Sequence, residues 1–284
     1  FILGTAQFGE NYGISNESGI LDHSKAKRIL SFAKQKNIKL IDTAIDYTEG
    51  QKILYNLDLR NFSVITKLPS LLFRDDELDH IQNIIFDTIQ KLNINAYHAI
   101  LLHRPEEIFI KDKRSNIIKI LDKIRKNGYT SKIGISVYST ETAIKALDLY
   151  PFDIIQAPVN IIDRRFVKED FQKILVKNKI KLHARSIFLQ GLLLMNKENI
   201  PPKFSKWGNI FNAWDAWLLS NNLTAIEACI KFVRHINEID SIVVGVQSEK
   251  ELREIMEIGT GDQNIFPNWL SQVDEDLINP KMWN

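Results

Sequence analysis

Ile41-Asp42-Thr43-Ala44-Ile45-Asp46-Tyr47 decides how this chain is read, together with two isolated polar residues further along, Lys67 and His103. Each piece closes an apolar run: residues 39–41 lead into Asp42, 62–66 into Lys67 and 99–102 into His103. A polar side chain at the C-terminal end of a buried strand is where parallel α/β barrels keep their chemistry. In such a barrel Asp42, Tyr47, Lys67 and His103 converge on one mouth.

Outward from that stretch the same alternation repeats. A short strand opens the chain within residues 1–5, and further strands are expected at 39–42, 62–66, 98–102, 132–135, 153–156, 180–184 and 241–245. Helical patterns lie at 24–36, 49–56, 77–93, 115–127, 140–149, 168–178, 223–235 and 249–258, and Ser24 is the expected N-cap of the first. The strands read as continuous apolar runs, which argues a parallel sheet covered on both faces. A doubly wound sheet needs a glycine-rich phosphate loop after its first strand, and Gly4, Gly9 and Gly13 are spaced wrongly for one. The expectation is an α/β fold, a (β/α)8 TIM barrel forming a single domain over 1–284, with the barrel proper at about 1–258 and an irregular C-terminal tail at 259–284.

Two segments break the period. The glycine-punctuated stretch at 6–13 reads as a loop. Between the seventh strand and its helix, residues 192–222 carry Pro201-Pro202 and then Phe204, Trp207, Phe211, Trp214 and Trp217. Helical spacing makes this an extra helix packed on the barrel, while its position in a top-face loop also makes Trp207 a candidate wall for a substrate. The tail has little periodicity, holds Trp269 and Trp283, and is placed to fold over the same mouth.

Composition removes several function classes. With 37 basic and 35 acidic residues the net charge is +2, so no field of one sign recruits nucleic acid or a membrane surface. No apolar run approaches the roughly 18 residues of a membrane span, and no basic n-region opens the chain. The expectation is a soluble, cytoplasmic protein. Cys229 is the single cysteine and sits among Ile226, Ile230, Phe232 and Val233 at helical spacing, which reads as a buried core thiol. Scattered histidines and a lone cysteine give no zinc pattern, so no metal is expected. The absence of Gly-x-Ser-x-Gly removes the nucleophile elbow of a serine hydrolase.

The four strand-end groups suit one kind of chemistry. A tyrosine with a reference pKa of about 10 is a poor acid near neutrality. An ammonium about 4 Å away favours phenolate by roughly 4 kcal/mol at an effective dielectric near 20, worth up to about 3 pKa units. Lys67 beside Tyr47 would bring the phenol into a working range. Asp42 would hold the ammonium charged and aimed, and His103 would donate a hydrogen bond to a carbonyl oxygen. None of the four is a hydride source, so reduction of an aldehyde or ketone would need a nicotinamide cofactor. Taken singly, a strand-end Asp is also an N-cap or salt-bridge partner, Tyr47 a packed aromatic and His103 a turn residue; their joint occurrence at successive strand ends is what carries the reading.

The pattern resembles the aldo-keto reductase superfamily, with its Asp, Tyr, Lys, His tetrad on a (β/α)8 barrel, and within it a bacterial subgroup. The resemblance rests on Gly-Thr-Ala-Gln-Phe-Gly at 4–9, Ile-Asp-Thr-Ala-x-x-Tyr at 41–47, Thr66-Lys67, Leu-Leu-His at 101–103, Gly-Ile-Ser at 134–136, Gln156 with Asn160, Gly191-Leu192-Leu193 and Val-Gly-Val-Gln-Ser at 244–248. It implies Tyr47 as general acid, tuned by Lys67 and Asp42, with His103 orienting the carbonyl. It also implies that Gly4, Thr5, Ala6, Ser136, Gln156, Arg185, Ser186, Gln190, Gly191, Gly245, Val246, Gln247 and Ser248 bind the dinucleotide, Ser136 and Gln156 at the carboxamide and Gly245 to Ser248 at the adenosine-phosphate end. Phe8, Tyr12 and Trp207 are the matching candidates for substrate contact.

Three positions depart from the family pattern. Val137 replaces a common Asn, and Arg185 stands where a Tyr usually stacks on nicotinamide, bringing a charge that alters redox tuning or binds an anionic substrate. Gly245 and Glu251 occupy the places of a Lys and an Arg that hold the 2′-phosphate in many NADPH-dependent relatives, with Gln247, Ser248, Lys250 and Arg253 as candidates to compensate. The resulting expectation is an NAD(P)H-dependent carbonyl reductase acting on a small carbonyl compound, a sugar or another polar one, with NADP(H) favoured over NAD(H). The alternatives are a catalytically weak nucleotide-sensing barrel that regulates a partner, and a cofactor-free lyase or epimerase using Lys67 and His103.

Overall fold

Strand residues alternate between two apolar environments. Ile2, Ile65, Ala99, Leu101 and Ile154 form an inner cluster, while Leu3, Ile41, Val64, Ile100, Ile135, Ile155 and Leu182 belong to the larger core against the helices. A sheet that is apolar on both faces has to be covered on both, and closing it into a barrel achieves this. The computed structural model describes residues 1–9, 13–14, 19–72, 78–259 and 266–283. Within it, β1 (Ile2–Gly4), β2 (Leu40–Asp42), β3 (Ser63–Lys67), β4 (Ala99–Leu102), β5 (Ile133–Ser136), β6 (Ile154–Pro158), β7 (Lys181–Arg185) and β8 (Ser241–Gly245) form a closed parallel barrel in chain order.

The helices are α1 (Ala6–Gly9), α2 (His23–Gln35), α3 (Thr48–Tyr55), α4 (Leu78–Leu92), α5 (Lys111–Lys126), α6 (Thr140–Leu147), α7 (Glu169–Asn178), α8 (Gly208–Ser220), α9 (Ala225–His235), α10 (Glu249–Glu257) and α11 (Glu275–Ile278). The expected (β/α)8 architecture is therefore present, with α8 as the extra element after β7. The described part of the tail, 266–283, is short helical turns joined by irregular backbone.

Register gathers the strand ends. Gly4 pairs with Asp42 and with Gly245, Asp42 with Ile65, Lys67 with Leu101, and Ser136 with Gln156. Residues that close their strands in sequence thus lie around one rim.

Local expectations need two corrections. Asp22, not Ser24, caps α2: its Oδ1 accepts the Lys25 backbone N–H at 2.8 Å, and the Ser24 hydroxyl donates to the same oxygen at 2.8 Å. A carboxylate at a helix N-terminus gains from the dipole as well as the hydrogen bond. Residues 6–9 form a helical turn and not a loop, with Phe8 fully buried. Gly9 in that turn lies against the start of α3, where an added Cβ would stand 1.8 Å from the Gly50 nitrogen.

The α8 region packs as the spacing suggests. Phe211 and Trp214 are buried, Trp214 stacks on Trp217 at 5.6 Å, and the Trp214 indole N–H donates to the Leu193 carbonyl at 3.2 Å. The tail is anchored by Trp283, which is buried edge-on against Phe204 with centroids 4.9 Å apart and donates its Nε1–H to the Leu277 carbonyl at 3.2 Å.

Candidate active site

The turn after β2 is fixed before any side chain acts. Thr43 N–H donates to the Ile65 carbonyl at 2.9 Å and Ile45 N–H to the Lys67 carbonyl at 3.0 Å, so the turn lies along the end of β3. Gln51, buried in α3, donates from Nε2 to the Ala44 carbonyl at 2.9 Å. This places Tyr47 at the N-cap of α3, facing the rim.

Asp42, Tyr47, Lys67 and His103 come together there and line one cavity of about 830 Å³. Lys67 Nζ donates to Asp42 Oδ1 and, at 3.0 Å, to the Thr43 carbonyl. The other carboxylate oxygen, Asp42 Oδ2, accepts the Gln156 amide N–H at 2.7 Å. Lys67 Nζ is 5.6 Å from the centre of the Tyr47 ring, and the Tyr47 and His103 rings meet edge-on with centroids 6.2 Å apart. Lys67 and Asp42 are 3 % and 5 % exposed, so this ion pair works in a low-dielectric setting where each partner depends on the other.

His103 is a neutral imidazole. Burial, and then the charges of Lys67, Arg185, Arg104 and Lys281, push its pKa down to about 3. A neutral ring keeps one N–H to give to an oxygen. Its Nδ1 is buried and unpartnered among the described residues.

From this end the cavity runs along the strand ends past Gly4, Thr5 and Ala6 to Gly245 and α10. Ser136, Gln156, Arg185, Ser186, Gln190, Gly191 and Gln247 also line it. Because Gln156 gives its Nε2–H to Asp42, its Oε1 is left buried without a partner, a geometry that suits an incoming N–H donor such as a carboxamide. The loop after β7 is wound through the left-handed region at Ser186, Leu189, Gln190 and Gly191, with φ of 54°, 49°, 52° and 93°. Left-handed backbone at non-glycine residues costs about 1–2 kcal/mol each and concentrates at ligand clamps. Asn160 holds this loop by donating to the Ser186 carbonyl at 3.1 Å.

Several expected site residues sit elsewhere. Trp207 does not wall the cavity: it is buried against Phe204, and its indole N–H donates to Asp274 at 3.1 Å, because the aromatic belongs to the seam between the α8 region and the tail. Phe8 is core, away from the lining. Val246 is buried and Ser248 caps α10 by accepting the Glu251 N–H at 3.1 Å, so neither lines the cavity. Tyr12 lies outside the described residues. Conversely, Gln7, Arg104, Glu106, Tyr138, Glu254 and Lys281 line the cavity without having been expected. Arg104 and Tyr138 stand next to expected positions, whereas no sequence signal brings Lys281 there. Among the described residues no three His, Cys, Asp or Glu side chains gather to hold a metal, and no helix is long and apolar enough to cross a membrane. Cys229 is buried, which pushes its thiol pKa up.

Fold and rim together define a class: parallel (β/α)8-barrel proteins with a tyrosine, a lysine–aspartate pair and a histidine grouped at the carboxyl ends of the strands. The chain matches the model of the Aldo/keto reductase family over residues 1–263 and belongs to that family. It is 28% identical over 166 residues, 54% of this chain and 48% of the relative, to an aldo-keto reductase of Gibberella moniliformis (strain M3125 / FGSC 7600). The matched stretch thus spans about half the length of that curated relative. Among solved structures, a glycerol dehydrogenase from Gluconobacter oxydans superposes with a TM-score of 0.68 at 19% identity, covering 93% of this chain and 87% of that one. The holo form of an aldo-keto reductase from Bacillus halodurans gives 0.70 at 17% identity, covering 90% and 85%. These two likenesses concern the fold.

Proposed function

We propose that the protein is an oxidoreductase that reduces an aldehyde or ketone using a nicotinamide dinucleotide, with Tyr47 as the general acid. The observation that carries this is the grouping of Asp42, Lys67, Tyr47 and His103 at the end of a cavity long enough to continue past Gln156 to Gly245. When bound, the dinucleotide supplies the hydride to the carbonyl carbon. The chain's own residues do the rest. His103, neutral, donates its N–H to the carbonyl oxygen and fixes its direction. Tyr47 gives that oxygen its phenolic proton, and the Lys67 ammonium stabilises the phenolate left behind. Asp42 holds the ammonium, and Gln156 holds Asp42. Ser136 and the free Oε1 of Gln156 suit a carboxamide, and the wound loop at 186–191 suits a pyrophosphate.

For the dinucleotide we propose NAD(H), against the sequence expectation of NADP(H). Of the four residues that were to offset Glu251, only Gln247, which is uncharged, lines the cavity, while Arg253 is paired with Glu249 at 2.7 Å and stacked on Phe32, Ser248 caps α10, and Lys250 is not in the lining. Glu251, held toward Gln247 by accepting its N–H at 2.8 Å, lines the cavity together with Glu254, and no lysine or arginine of α10 does. Carboxylates suit a free ribose 2′-hydroxyl and repel a phosphate. The test of the function is single-turnover oxidation of bound NADH by a panel of aldehydes; a protein that binds dinucleotide but oxidises it with none is a binding barrel and not a reductase.

A further inference from the structure

Two cations at the rim stand on one aromatic ring. Arg185, the last residue of β7, lays its guanidinium on Tyr138 with Cζ 4.1 Å from the ring centre, and Lys281 brings Nζ to 4.8 Å from the same centre. Arg185 donates to the Val137 carbonyl at 3.1 Å and to Ser186 Oγ at 3.3 Å, which leaves other N–H groups of its planar fork for a ligand. Among the described residues neither cation has a carboxylate at ion-pair distance, whereas their neighbours do: Lys67 pairs with Asp42, and Arg104 with Asp46 at 2.9 Å.

The acids that line the cavity do not change this balance much. Asp42 is taken by Lys67, Glu251 and Glu254 belong to α10 at the far end, and Glu106 alone stands on this side. Holding two like charges on one aromatic ring costs free energy, and a bound anion removes that cost. A guanidinium fork beside an ammonium, on a flat ring that orients both, suits a planar carboxylate or a phosphate. Both cations also line the same cavity as Tyr47 and His103.

We propose that the carbonyl substrate carries an anionic group, a carboxylate or a phosphate, held by Arg185 and Lys281 beside Tyr138 while its C=O lies against Tyr47 and His103. This rests on the carbonyl-reductase reading above. It narrows the substrate class from polar carbonyl compounds to oxo-acids, aldehyde acids and phosphorylated carbonyl compounds. The dinucleotide's own pyrophosphate is the other source of such an anion, and the two are separable.

The test uses the protein saturated with NAD⁺ and the wild-type, Arg185→Gln and Lys281→Gln forms. Calorimetric titration with non-reacting pairs, butyrate against butyramide and glycerol 3-phosphate against glycerol, reads the anion site without turnover. One charged member or both should bind while the neutral partners do not, each substitution should weaken that binding roughly tenfold, and Lys281→Gln should leave dinucleotide affinity within about twofold. Equal binding of charged and neutral members overturns the proposal. So does a loss confined to dinucleotide affinity, which assigns the cations to the pyrophosphate. Steady-state reduction of succinic semialdehyde and butyraldehyde tests the underlying reading separately: anion binding without reduction of either aldehyde leaves the site standing and sinks the reductase.

Discussion

Exchanging Glu251 for Gln should move the preference between the two nicotinamide dinucleotides by about one order of magnitude or more. The side chain lines the far end of the cavity and is exposed, so its charge acts through water. A unit pair at about 4 Å in bulk water is worth about 1 kcal/mol, and a phosphate carries roughly 1.5 to 2 negative charges at neutral pH. One such carboxylate beside a 2′-phosphate therefore costs about 2 kcal/mol, roughly thirtyfold in affinity. Glutamine keeps an acceptor for the Gln247 N–H that Glu251 now binds at 2.8 Å, so the turn into α10 should hold. Quenching of tryptophan fluorescence, titrated with NADH and NADPH at low and high salt, gives the ratio of affinities. Wild type should prefer NADH, and high salt should shrink the preference as the Debye length falls from about 10 Å toward 3 Å. Glu251→Gln should remove most of it. Wild-type binding of NADPH as tight as NADH, or a ratio that Glu251→Gln leaves in place, refutes the reasoning.

Tyr47→Phe should lower the single-turnover rate by about 10²- to 10⁴-fold while dinucleotide affinity is kept, and near-normal turnover would remove the phenol from the proton step. Burial pushes His103 down to about 3 and His183 to about 4 from an ordinary value near 6.5. Their contribution to stability is thus full above about pH 6.5 and is lost as pH falls toward those values, at about 1.4 kcal/mol per pH unit for each. Urea midpoints measured between pH 7 and pH 5 should fall, and His183→Gln should flatten that slope by about half; an unchanged slope counts against the neutral buried imidazole. Gly9→Ala drives a Cβ into the Gly50 backbone, which has no flexible end to yield. It should cost about 1–3 kcal/mol by chemical denaturation and lower turnover as well, because α3 carries Tyr47 at its start; a stable, fully active variant would show that α1 and α3 adjust freely.

What the residues themselves revealed is local or periodic. Lys67 and His103 were recognisable because each ends an apolar run, and a parallel barrel turns that linear fact into a position on a rim. Arg253 and Trp207 were not, because their side chains answer to partners distant in sequence: Phe32 stacks on the one, and Asp274 accepts from the other. The pairing of Gln156 with Asp42 joins β6 to β2 across 114 residues and is invisible to spacing. The left-handed residues at 186–190 include Ser, Leu and Gln, types that give no warning of positive φ. Asp22 was passed over for Ser24 because both suit an N-cap, and only the first turn's geometry separates them.

Lys281 reaches the mouth from outside the barrel, on a segment pinned by Trp283 and by the Lys203 ammonium, which donates to the Trp283 carbonyl at 2.5 Å. Tyr47, on the turn after β2, and Lys281, on the tail, are thus mounted on separate pieces of chain, one tied to the sheet and the other strapped across its mouth. On the reading proposed above, drift in the strap would retune which molecules are admitted while the part tied to the sheet kept its reaction, so diversification of diet need not endanger the engine.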